Sequence, residues 1–417
     1  MPGPGIAIVG ASLGGLRAAE QLRAAGWEGP VTVYGDENHL PYNRPPLSKE
    51  VLAGRAAPHT TELRRRDSTG DVRWRLRRRV VSADVTARTL TLADGSVERF
   101  EGLVAATGIR PRQLPLANGD GAPVRHVLRT RDDSERLRDA LARGGRVVVV
   151  GAGFIGCETA ATARTLGCEV TVVAPEEQPM EGPLGNGLGA VLRRRHEAEG
   201  VCFALGRTVA RFGPDGVLLD DGTLLGADTV VEAVGSLPNT EWLRGNDALD
   251  LSDGVLCDGQ LRAGGLPHVV AVGDVARFPN ARYDTRARRV EHWSVPGETA
   301  RHAARTLLAG LAGEEPTAAP FAPLASFWSD QFGMRVQSFG APGQARSAEL
   351  LEGDPHCAET PLVVGYRTGE RLLGVVALGG AGASSAAGRY RSALTTGSAG
   401  EVGAAGAGVT APPPAAP

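Results

Sequence analysis

Lysine is almost absent from this 417-residue sequence, although arginine is abundant. All but one of the 45 basic residues are arginine, and the exception is Lys49. An ammonium group is a compact cation with three rotatable donors, whereas a guanidinium is a wide, planar fork. A chain that uses arginine everywhere else therefore indicates Lys49 as a position where a compact cation is needed.

Cysteines are few and widely spaced. The five cysteines are Cys157, Cys168, Cys202, Cys257 and Cys357. Since no pair has the close spacing of a redox dithiol, a zinc site or an iron–sulfur cluster, we predict no bound metal. The cysteine count is odd, and the N-terminus runs directly into an apolar strand without a secretion signal. Both features favour a reducing, cytoplasmic location.

Long apolar runs and an excess of charge are also missing. No run approaches the roughly 20 apolar residues that a membrane span needs, and the net charge is only −2. Neither a membrane nor a nucleic acid is therefore expected as a partner. Hydrophobic residues make up 42% of the chain, which is enough for full globular cores. A chain of this length predicts two or three domains.

One supersecondary pattern occurs twice. The apolar strand 6–9 is followed by a glycine-rich turn, an Ala- and Leu-rich helix to about Ala25, and a second strand. The pattern recurs from residue 147 to residue 173, with a helix that ends near Leu166. Two βαβ units of this kind predict an α/β protein with two Rossmann-like dinucleotide-binding domains.

The last third of the chain has a different pattern. A helix is predicted over residues 297–309, and short apolar stretches with glycine turns follow from residue 321 to residue 378. They predict a small C-terminal α+β domain. Beyond about Thr395 the chain is mostly Ala, Gly and Pro, which cannot bury enough apolar surface to offset the entropy of ordering. We predict a disordered tail there.

The second glycine-rich turn is a complete G-x-G-x-x-G motif, formed by Gly151, Gly153 and Gly156. In a βαβ unit such a turn brings backbone N–H groups and a helix N-terminus against a pyrophosphate, and glycine permits the close approach. The spacing between two β-branched strands predicts a dinucleotide site.

The first turn departs from this pattern. It has Gly10 and Gly15 at the outer positions but Ser12 at the middle one, so a Cβ must be accommodated beside the phosphate. Asp36 lies just past the second strand, 21 residues after Gly15, where a carboxylate binds ribose hydroxyls. This turn is therefore predicted to hold a dinucleotide as well.

Six further segments match one family pattern. They are PYNRPPLSK at 41–49, ATGIRPR at 106–112, LRT at 128–130, GD at 273–274, EHW at 291–293 and FWSDQ at 327–331. With the two glycine-rich turns they resemble the FAD-dependent pyridine-nucleotide reductases. The resemblance is strongest to the ferredoxin reductases that serve cytochromes P450 and Rieske oxygenases, the putidaredoxin-reductase group. It spans residues 5 to about 380.

This resemblance implies a domain order and a reaction. An FAD-binding domain is expected from residues 1–115 and 238–318, with an NAD(H)-binding domain at 116–237 inserted between them. A C-terminal interface domain at 319–394 and the tail at 395–417 follow. Hydride is expected to pass from NADH to FAD, and single electrons then go to a small acidic iron–sulfur ferredoxin that serves a cytochrome P450 or Rieske oxygenase.

Matching positions also imply functional residues. Lys49 and Glu158 are expected to form a catalytic pair beside the flavin. The other expected cofactor contacts are Gly10, Ser12, Gly14, Gly15, Asp36, Arg44, Val81, Thr107, Gly108, Arg129, Gly151, Gly153, Phe154, Ile155, Gly156, Glu176, Gly235, Gly273, Asp274 and Trp293.

The end of the NAD-side second strand bears on the choice of nicotinamide. The family often has an acidic residue where this chain has Ala174, and Glu176 is the nearby candidate to reach the ribose. No Arg or Lys lies between Ala174 and Met180 to bind a 2′-phosphate. NADH is therefore expected as the donor, and NADPH is less favoured.

A short arginine run is a candidate docking surface for the acidic ferredoxin. Arg286, Arg288 and Arg289 come just before the Glu-His-Trp segment, and a basic cluster raises the association rate of an acidic partner. The arginine-rich stretch 75–79 is a competing candidate, further from the motif residues.

Two alternative functions stay open. A disulfide reductase, or an NADH oxidase or peroxidase, on the same fold needs a reactive cysteine early in the chain, whereas the first cysteine is Cys157. A flavoprotein with mainly a binding or signalling role does not need two intact nucleotide motifs. Fold alone does not decide between these functions.

Overall fold

The computed structural model describes residues 3–357 and 360–396. The chain folds into two compact units. The first unit comprises residues 3–43, 61–110 and 237–325, and the second comprises residues 44–60, 111–236 and 326–396. The predicted tail lies outside the described residues from position 397 onward.

The described chain contains seven α-helices and six short 3-10 helices. The α-helices are α1 (Leu13–Ala24), α2 (Arg131–Leu141), α3 (Phe154–Thr165), α4 (Glu181–Ala198), α5 (Val295–Leu311), α6 (Ala383–Gly388) and α7 (Arg391–Thr396). The 3-10 helices are Pro45–Ser48, Pro58–Thr61, Asp67–Thr69, Glu241–Leu243, Gly273–Val275 and Pro342–Gln344. The predicted helices end within two residues of α1, α3 and α5.

The first unit is built on a five-stranded parallel sheet. Its strands lie in the spatial order Val269–Ala271, Gly102–Ala105, Ile6–Val9, Val31–Tyr34 and Arg73–Arg75. The strands Ile6–Val9, Gly102–Ala105 and Val269–Ala271 are buried along their whole length, which is why their sequences are continuous apolar runs rather than alternating ones. Helices α1 and α5 pack against each other in this unit.

Two small sheets complete the first unit. Val80–Asp84, Thr89–Leu92 and Val97–Arg99 form an antiparallel sheet. The second small sheet contains Val255–Leu256, Ala276–Asn280 and Asp284–Arg289.

The second unit repeats the parallel sheet. Its strands lie in the order Val201–Leu205, Glu169–Ala174, Arg146–Val150, Thr229–Glu232 and Arg125–His126. A three-stranded antiparallel sheet, formed by Val209–Gly213, Gly216–Leu219 and Leu224–Leu225, belongs to the same unit. Two more short strands are Ile109–Pro111 and Ser236–Pro238.

The C-terminal part of the second unit is a five-stranded antiparallel sheet with α6 and α7. The strands lie in the order Ser326–Gln331, Met334–Gly340, Arg371–Gly379, Leu362–Thr368 and Ser347–Glu352. In the first of them, burial alternates along the strand, so Phe327, Ser329 and Gln331 all face inward. Two polar side chains therefore lie on the buried face of this strand.

The predicted fold class is confirmed. Both βαβ units form parallel sheets with a helix between the first two strands, and the C-terminal region is a small α+β domain. Among the described residues, no helix is both long enough and apolar enough to cross a bilayer. The same part of the chain contains no group of three or more His, Cys, Asp or Glu side chains placed to hold a metal ion.

Candidate active site

In the first unit, predicted cofactor residues follow the carboxyl ends of four adjacent parallel strands. Gly10 follows the strand Ile6–Val9, Asp36 follows its neighbour on one side, and Thr107 and Asp274 follow the two strands on the other side. Since ligands of open α/β sheets bind outside the carboxyl ends of the strands, this edge has the placement of a nucleotide site.

The first glycine-rich turn is closed too tightly for larger residues at its outer positions. A Cβ on Gly10 would lie 2.1 Å from the carbonyl oxygen of Ala106, and a Cβ on Gly15 would lie 1.9 Å from that of Gly10. Ser12 is the residue before α1, in extended backbone, and its side chain forms no capping bond with the helix. The turn therefore brings the start of α1 close to the end of the strand, as a pyrophosphate-binding turn requires.

The second glycine-rich turn repeats this geometry and leaves space at its middle position. A Cβ on Gly151 would lie 2.3 Å from Ala233 O, and one on Gly156 would lie 1.9 Å from Gly151 O. A Cβ on Gly153 would meet no atom within 4 Å, and Gly153 is the residue at the N-terminus of α3. The outer glycines close the turn, while the middle one keeps the approach to the helix N-terminus open for a phosphate.

Lys49 and Glu158, which the family resemblance implies as a pair, form an ion pair in the second unit. The Lys49 Nζ atom lies 2.6 Å from Glu158 Oε2, and the two side chains are only 12% and 6% exposed. The ammonium also donates to Pro45 O at 3.1 Å and to Ser48 Oγ at 3.3 Å. All three donors of the ammonium are therefore engaged.

Both oxygens of the Glu158 carboxylate accept hydrogen bonds from serines. Ser48 Oγ donates to Oε2 at 2.5 Å, and Ser329 Oγ donates to Oε1 at 2.6 Å. The backbone carbonyl of Ser48 in turn accepts from Thr162 Oγ1 at 2.7 Å, which ties the Lys49 segment to α3. The arrangement is a buried carboxylate held by three donors, one of them cationic.

Other predicted residues have clear local partners. Arg44 Nη1 donates to Arg129 O at 2.6 Å in the second unit. In the first unit, Thr107 Oγ1 donates to Asn239 O at 2.6 Å, and Gly273 N donates to Thr299 Oγ1 at 3.0 Å. These bonds fix the backbone that follows the strand ends.

Trp293 and Val81 are two of the more exposed predicted residues of the first unit. The Trp293 indole is 42% exposed, and its Nε1 donates to Asn43 Oδ1 at 2.7 Å. Next to it, burial lowers the pKa of His292 to about 4, so this imidazole is neutral at physiological pH. Val81 lies on the separate antiparallel sheet and is 45% exposed.

The remaining NAD-side residues of the prediction lie at the carboxyl edge of the second parallel sheet. Glu176 and Gly235 are exposed beyond the ends of their strands. Ile155, at the start of α3, is 41% exposed, and Phe154 beside it packs edge-on against Phe327 at 4.8 Å. Glu176 is thus accessible to a ribose at this edge.

The candidate docking run is largely charge-balanced. Arg288 forms an ion pair with Asp284, and Arg289 forms ion pairs with Asp253 and Glu291. Carboxylates therefore neutralise two of the three guanidinium groups, and the run presents a weaker positive field than its sequence suggests.

Cysteine chemistry has no support at this site. All five cysteines are free, and burial raises the pKa of Cys157 and Cys168 and brings that of Cys257 to about 12. The Cys157 thiol donates to Ala152 O at 3.3 Å within the NAD-side turn. Thiols of this kind remain protonated and are poor nucleophiles.

The family resemblance implied no role for the serines that hold Glu158. Ser48 and Ser329 lie inside segments that carried the family resemblance, but only the neighbouring lysine was singled out. The signal was available for Ser329, because it has the same strand parity as the apolar Phe327 and must therefore face inward.

Comparison with known proteins shows the family of this chain. Residues 4–300 match the family model for pyridine nucleotide-disulphide oxidoreductases, and residues 326–400 match the model described as reductase C-terminal. The chain therefore belongs to the pyridine nucleotide-disulphide oxidoreductase family.

Within this family its similarity is to ferredoxin reductases. It is 36% identical over 355 residues to the ferredoxin–NAD(+) reductase component of the p-cumate 2,3-dioxygenase system of Pseudomonas putida, covering 84% of each chain. Putidaredoxin reductase of Pseudomonas putida is 34% identical over 383 residues, which cover 89% of this chain and 87% of that protein. The crystal structure of the covalent putidaredoxin reductase–putidaredoxin complex matches with a TM-score of 0.85 and 30% identity, covering 95% of this chain and 94% of that one.

Proposed function

We propose that this chain is an NADH-dependent ferredoxin reductase that supplies electrons to a cytochrome P450 or Rieske oxygenase. The observation that carries the proposal is the buried Lys49–Glu158 pair, in a chain with two phosphate-binding turns. Its relatives named as ferredoxin reductases cover most of its length. The absence of an early cysteine and the raised thiol pKa values favour this function over a disulfide reductase.

The cofactors of this family fit the residues present. The first glycine-rich turn and the strand ends beside it are suited to hold FAD, and the open position at Gly153 is suited to the NADH pyrophosphate. When bound, FAD accepts two electrons as hydride and releases them one at a time. The domain bounds of 1–115 with 238–318 for FAD and 116–237 for NADH are part of the proposal. So is the C-terminal interface domain at 319–394.

Two residues are assigned direct roles. The largely buried Lys49 ammonium would stabilise negative charge on a reduced flavin bound beside it. The Glu158 carboxylate holds that ammonium and helps to place the nicotinamide ring. The other residues predicted from the resemblance are proposed to bind the two dinucleotides, with Asp36 and Glu176 on ribose hydroxyls.

The partner is proposed to be a small acidic iron–sulfur ferredoxin, and the location to be the cytoplasm. The free cysteines agree with a reducing compartment. Because Arg288 and Arg289 are already paired, Arg286 is the guanidinium of this run that is best suited to meet an acidic partner.

The function is tested by coupled electron transfer. The FAD-loaded protein should reduce cytochrome c with NADH slowly alone, and much faster when a small [2Fe–2S] ferredoxin is added. Ferricyanide serves as the control acceptor because it needs no docking surface. Rapid reduction of ferricyanide with no stimulation by any of several acidic ferredoxins would overturn the proposal.

A further inference from the structure

We propose that Ser329, Gln331 and His196 form a hydrogen-bonded chain of a single polarity that positions the Glu158 carboxylate. The three are positioning residues, since none of them is assigned a contact with the nicotinamide or the flavin. The inference rests on the proposed function, because it explains how the Glu158–Lys49 pair is held ready for hydride transfer.

The hydrogen-bonded chain of side chains is continuous within the second unit. His196 Nε2 lies 2.6 Å from Gln331 Oε1, and Gln331 Nε2 lies 2.8 Å from Ser329 Oγ. Ser329 Oγ lies 2.6 Å from Glu158 Oε1. The hydrogen-bonded chain therefore connects helix α4, the first strand of the C-terminal sheet and helix α3.

Its polarity follows from the number of protons available. The Glu158 carboxylate accepts, so the single hydroxyl proton of Ser329 must point to Glu158. Ser329 Oγ can then only accept from Gln331, which fixes the amide nitrogen on that side and the amide oxygen toward His196. His196 must therefore carry its proton on Nε2. Every dipole in the chain points toward the carboxylate.

All three members of the chain are sealed from solvent. Ser329 and His196 are fully buried and Gln331 is 2% exposed. His196 lies edge-on to Phe332 at 5.0 Å and to Phe203 at 6.0 Å. Burial lowers its pKa, although the bond with Gln331 opposes this effect, so the imidazole is neutral and supplies a fixed N–H donor.

The charged groups near the Glu158 carboxylate do not change the polarity of the hydrogen-bonded chain. Lys49 contacts Oε2, and the Cys157 thiol beside Glu158 is kept protonated by a pKa raised through burial. Asp330, between the two inward residues of the strand, is half-buried and paired with Arg335. His196 Nδ1 has no hydrogen-bond partner among the described residues, so the chain ends there.

The consequence for catalysis is preorganisation. Ser48 and Lys49 hold Oε2, and the chain independently holds Oε1, so the carboxylate plane is fixed before NADH binds. A buried polar group that loses its hydrogen-bond partner is costly, so each link of the hydrogen-bonded chain depends on the next. Removal of one link should let the carboxylate rotate and misplace the reacting groups.

Stopped-flow reduction of the FAD-loaded enzyme by NADH tests the role. Ser329→Ala and Gln331→Met should each lower the limiting rate by about tenfold, with the NADH concentration for half-maximal rate changed by less than about twofold. Ser329→Thr, which keeps the hydroxyl, should restore most of the rate.

Matched controls lie in the neighbouring strand of the same sheet. Ser338 is fully buried and its hydroxyl has no hydrogen-bond partner among the described residues. Gln337 is buried and donates to the carbonyl oxygens of Phe327 and Ser338. Ser338→Ala and Gln337→Met should leave the rate near that of the wild type. Equal losses in the chain variants and the controls would overturn the inference.

A double-mutant comparison separates action through Glu158 from a general effect. In the Glu158→Ala background, Ser329→Ala should cost no further rate, because the group that it positions is gone. A full tenfold loss in that background would overturn the inference. If Glu158→Ala itself reduced flavin at the wild-type rate, the proposed role of Glu158 would fail instead.

A second readout does not depend on turnover. Nitrogen NMR of 15N-histidine-labelled holoenzyme, assigned with His196→Ala, should show His196 neutral with its proton on Nε2. In Gln331→Met this fixed tautomer should be lost. A proton on Nδ1 in the wild type would refute the polarity of the chain, whatever the kinetics show.

Discussion

The ammonium of Lys49 uses its three donors on three different acceptors, two of them within its own turn of chain. A guanidinium keeps the charge, but its donors lie in one plane and its head group is wider. Lys49→Arg should therefore slow flavin reduction by NADH by about tenfold or more. Stopped-flow loss of flavin absorbance measures this rate.

An exposed pair provides the control for this exchange. Arg193 forms an ion pair with Glu197 one turn along α4, and both side chains are well exposed. Arg193→Lys should leave the rate unchanged, since surface pairs contribute little. If Lys49→Arg also reduced flavin at the wild-type rate, Lys49 would have no specific role beside the cofactor.

The sequence predicted some interactions of the site and not others. The Lys49–Glu158 pair was foreseen because one lysine among many arginines coincides with a family motif. Ser329 and Gln331 lie in the FWSDQ motif, yet the bond between Gln331 and His196 joins residues 135 positions apart. No local pattern encodes such a distance, although strand parity shows that the two residues face inward.

At the scale of elements, the glycine-rich turn before α3 contains one glycine that the fold needs and another that ligand binding needs. A Cβ at Gly156 would collide with backbone, so Gly156→Ala should lower the midpoint of thermal unfolding by several degrees or prevent folding. Gly153→Ala meets no atom, and its backbone is extended rather than left-handed. It should leave the midpoint unchanged and weaken NADH binding.

Thermal unfolding of the two apoproteins and NADH titration of the two holoenzymes check this contrast. The comparison depends on Gly153 being the open position at the dinucleotide. Wild-type NADH affinity in Gly153→Ala would show that no phosphate approaches there.

Helix α4 contains a break that the sequence did not indicate. Gly185 has φ of 70° and interrupts the helical backbone after Leu184. The Leu184 carbonyl accepts a hydrogen bond from Tyr366 Oη at 2.6 Å, and Tyr366 is almost fully buried on the C-terminal sheet. A distant tyrosine thus satisfies a carbonyl at the break, and this partner cannot be read from the helix alone.

Tyr366→Phe removes that donor and leaves the carbonyl buried. The free energy of unfolding should fall by about 1–2 kcal/mol, measured by chemical denaturation with NADH-dependent flavin reduction as a parallel assay. Tyr390→Phe is a suitable comparison, because its hydroxyl bonds to the part-exposed Glu352 and should matter less. A larger loss in Tyr390→Phe would contradict this account of the break.

For the whole molecule, the sequence indicated two nucleotide folds and a C-terminal α+β region, and these are confirmed. It did not indicate that residues 44–60 fold with the second unit. Side-chain bonds to backbone hold this segment there, from Ser134 Oγ to Leu47 O at 2.8 Å and from Thr162 Oγ1 to Ser48 O. Such contacts carry no periodic signal in the sequence.

The preference of the enzyme for NADH or NADPH can be predicted from the residues at the carboxyl edge of the second parallel sheet. Glu176 is exposed at this edge, and the nearby Arg207 is already paired with Asp221 at 2.9 Å. A 2′-phosphate would meet negative charge there, so kcat/KM should be at least about tenfold higher for NADH than for NADPH. Glu176→Arg should narrow this ratio. Steady-state ferricyanide reduction with both donors measures it, and a preference for NADPH in the wild type would refute the prediction.

Because Lys49 is the one lysine of the sequence, a lysine-specific protease can cleave this polypeptide at a single bond. The cleavable bond, between Lys49 and Glu50, lies inside the segment 44–60, which contains the ammonium that we propose to act beside the flavin. Lys49 N donates to Pro46 O at 3.1 Å, and the side chain is only 12% exposed, so the bond must leave its folded setting before a protease can take it. The rate at which two fragments, 1–49 and 50–417, appear therefore measures how often the Lys49 segment unfolds, without any label or probe attached to the enzyme.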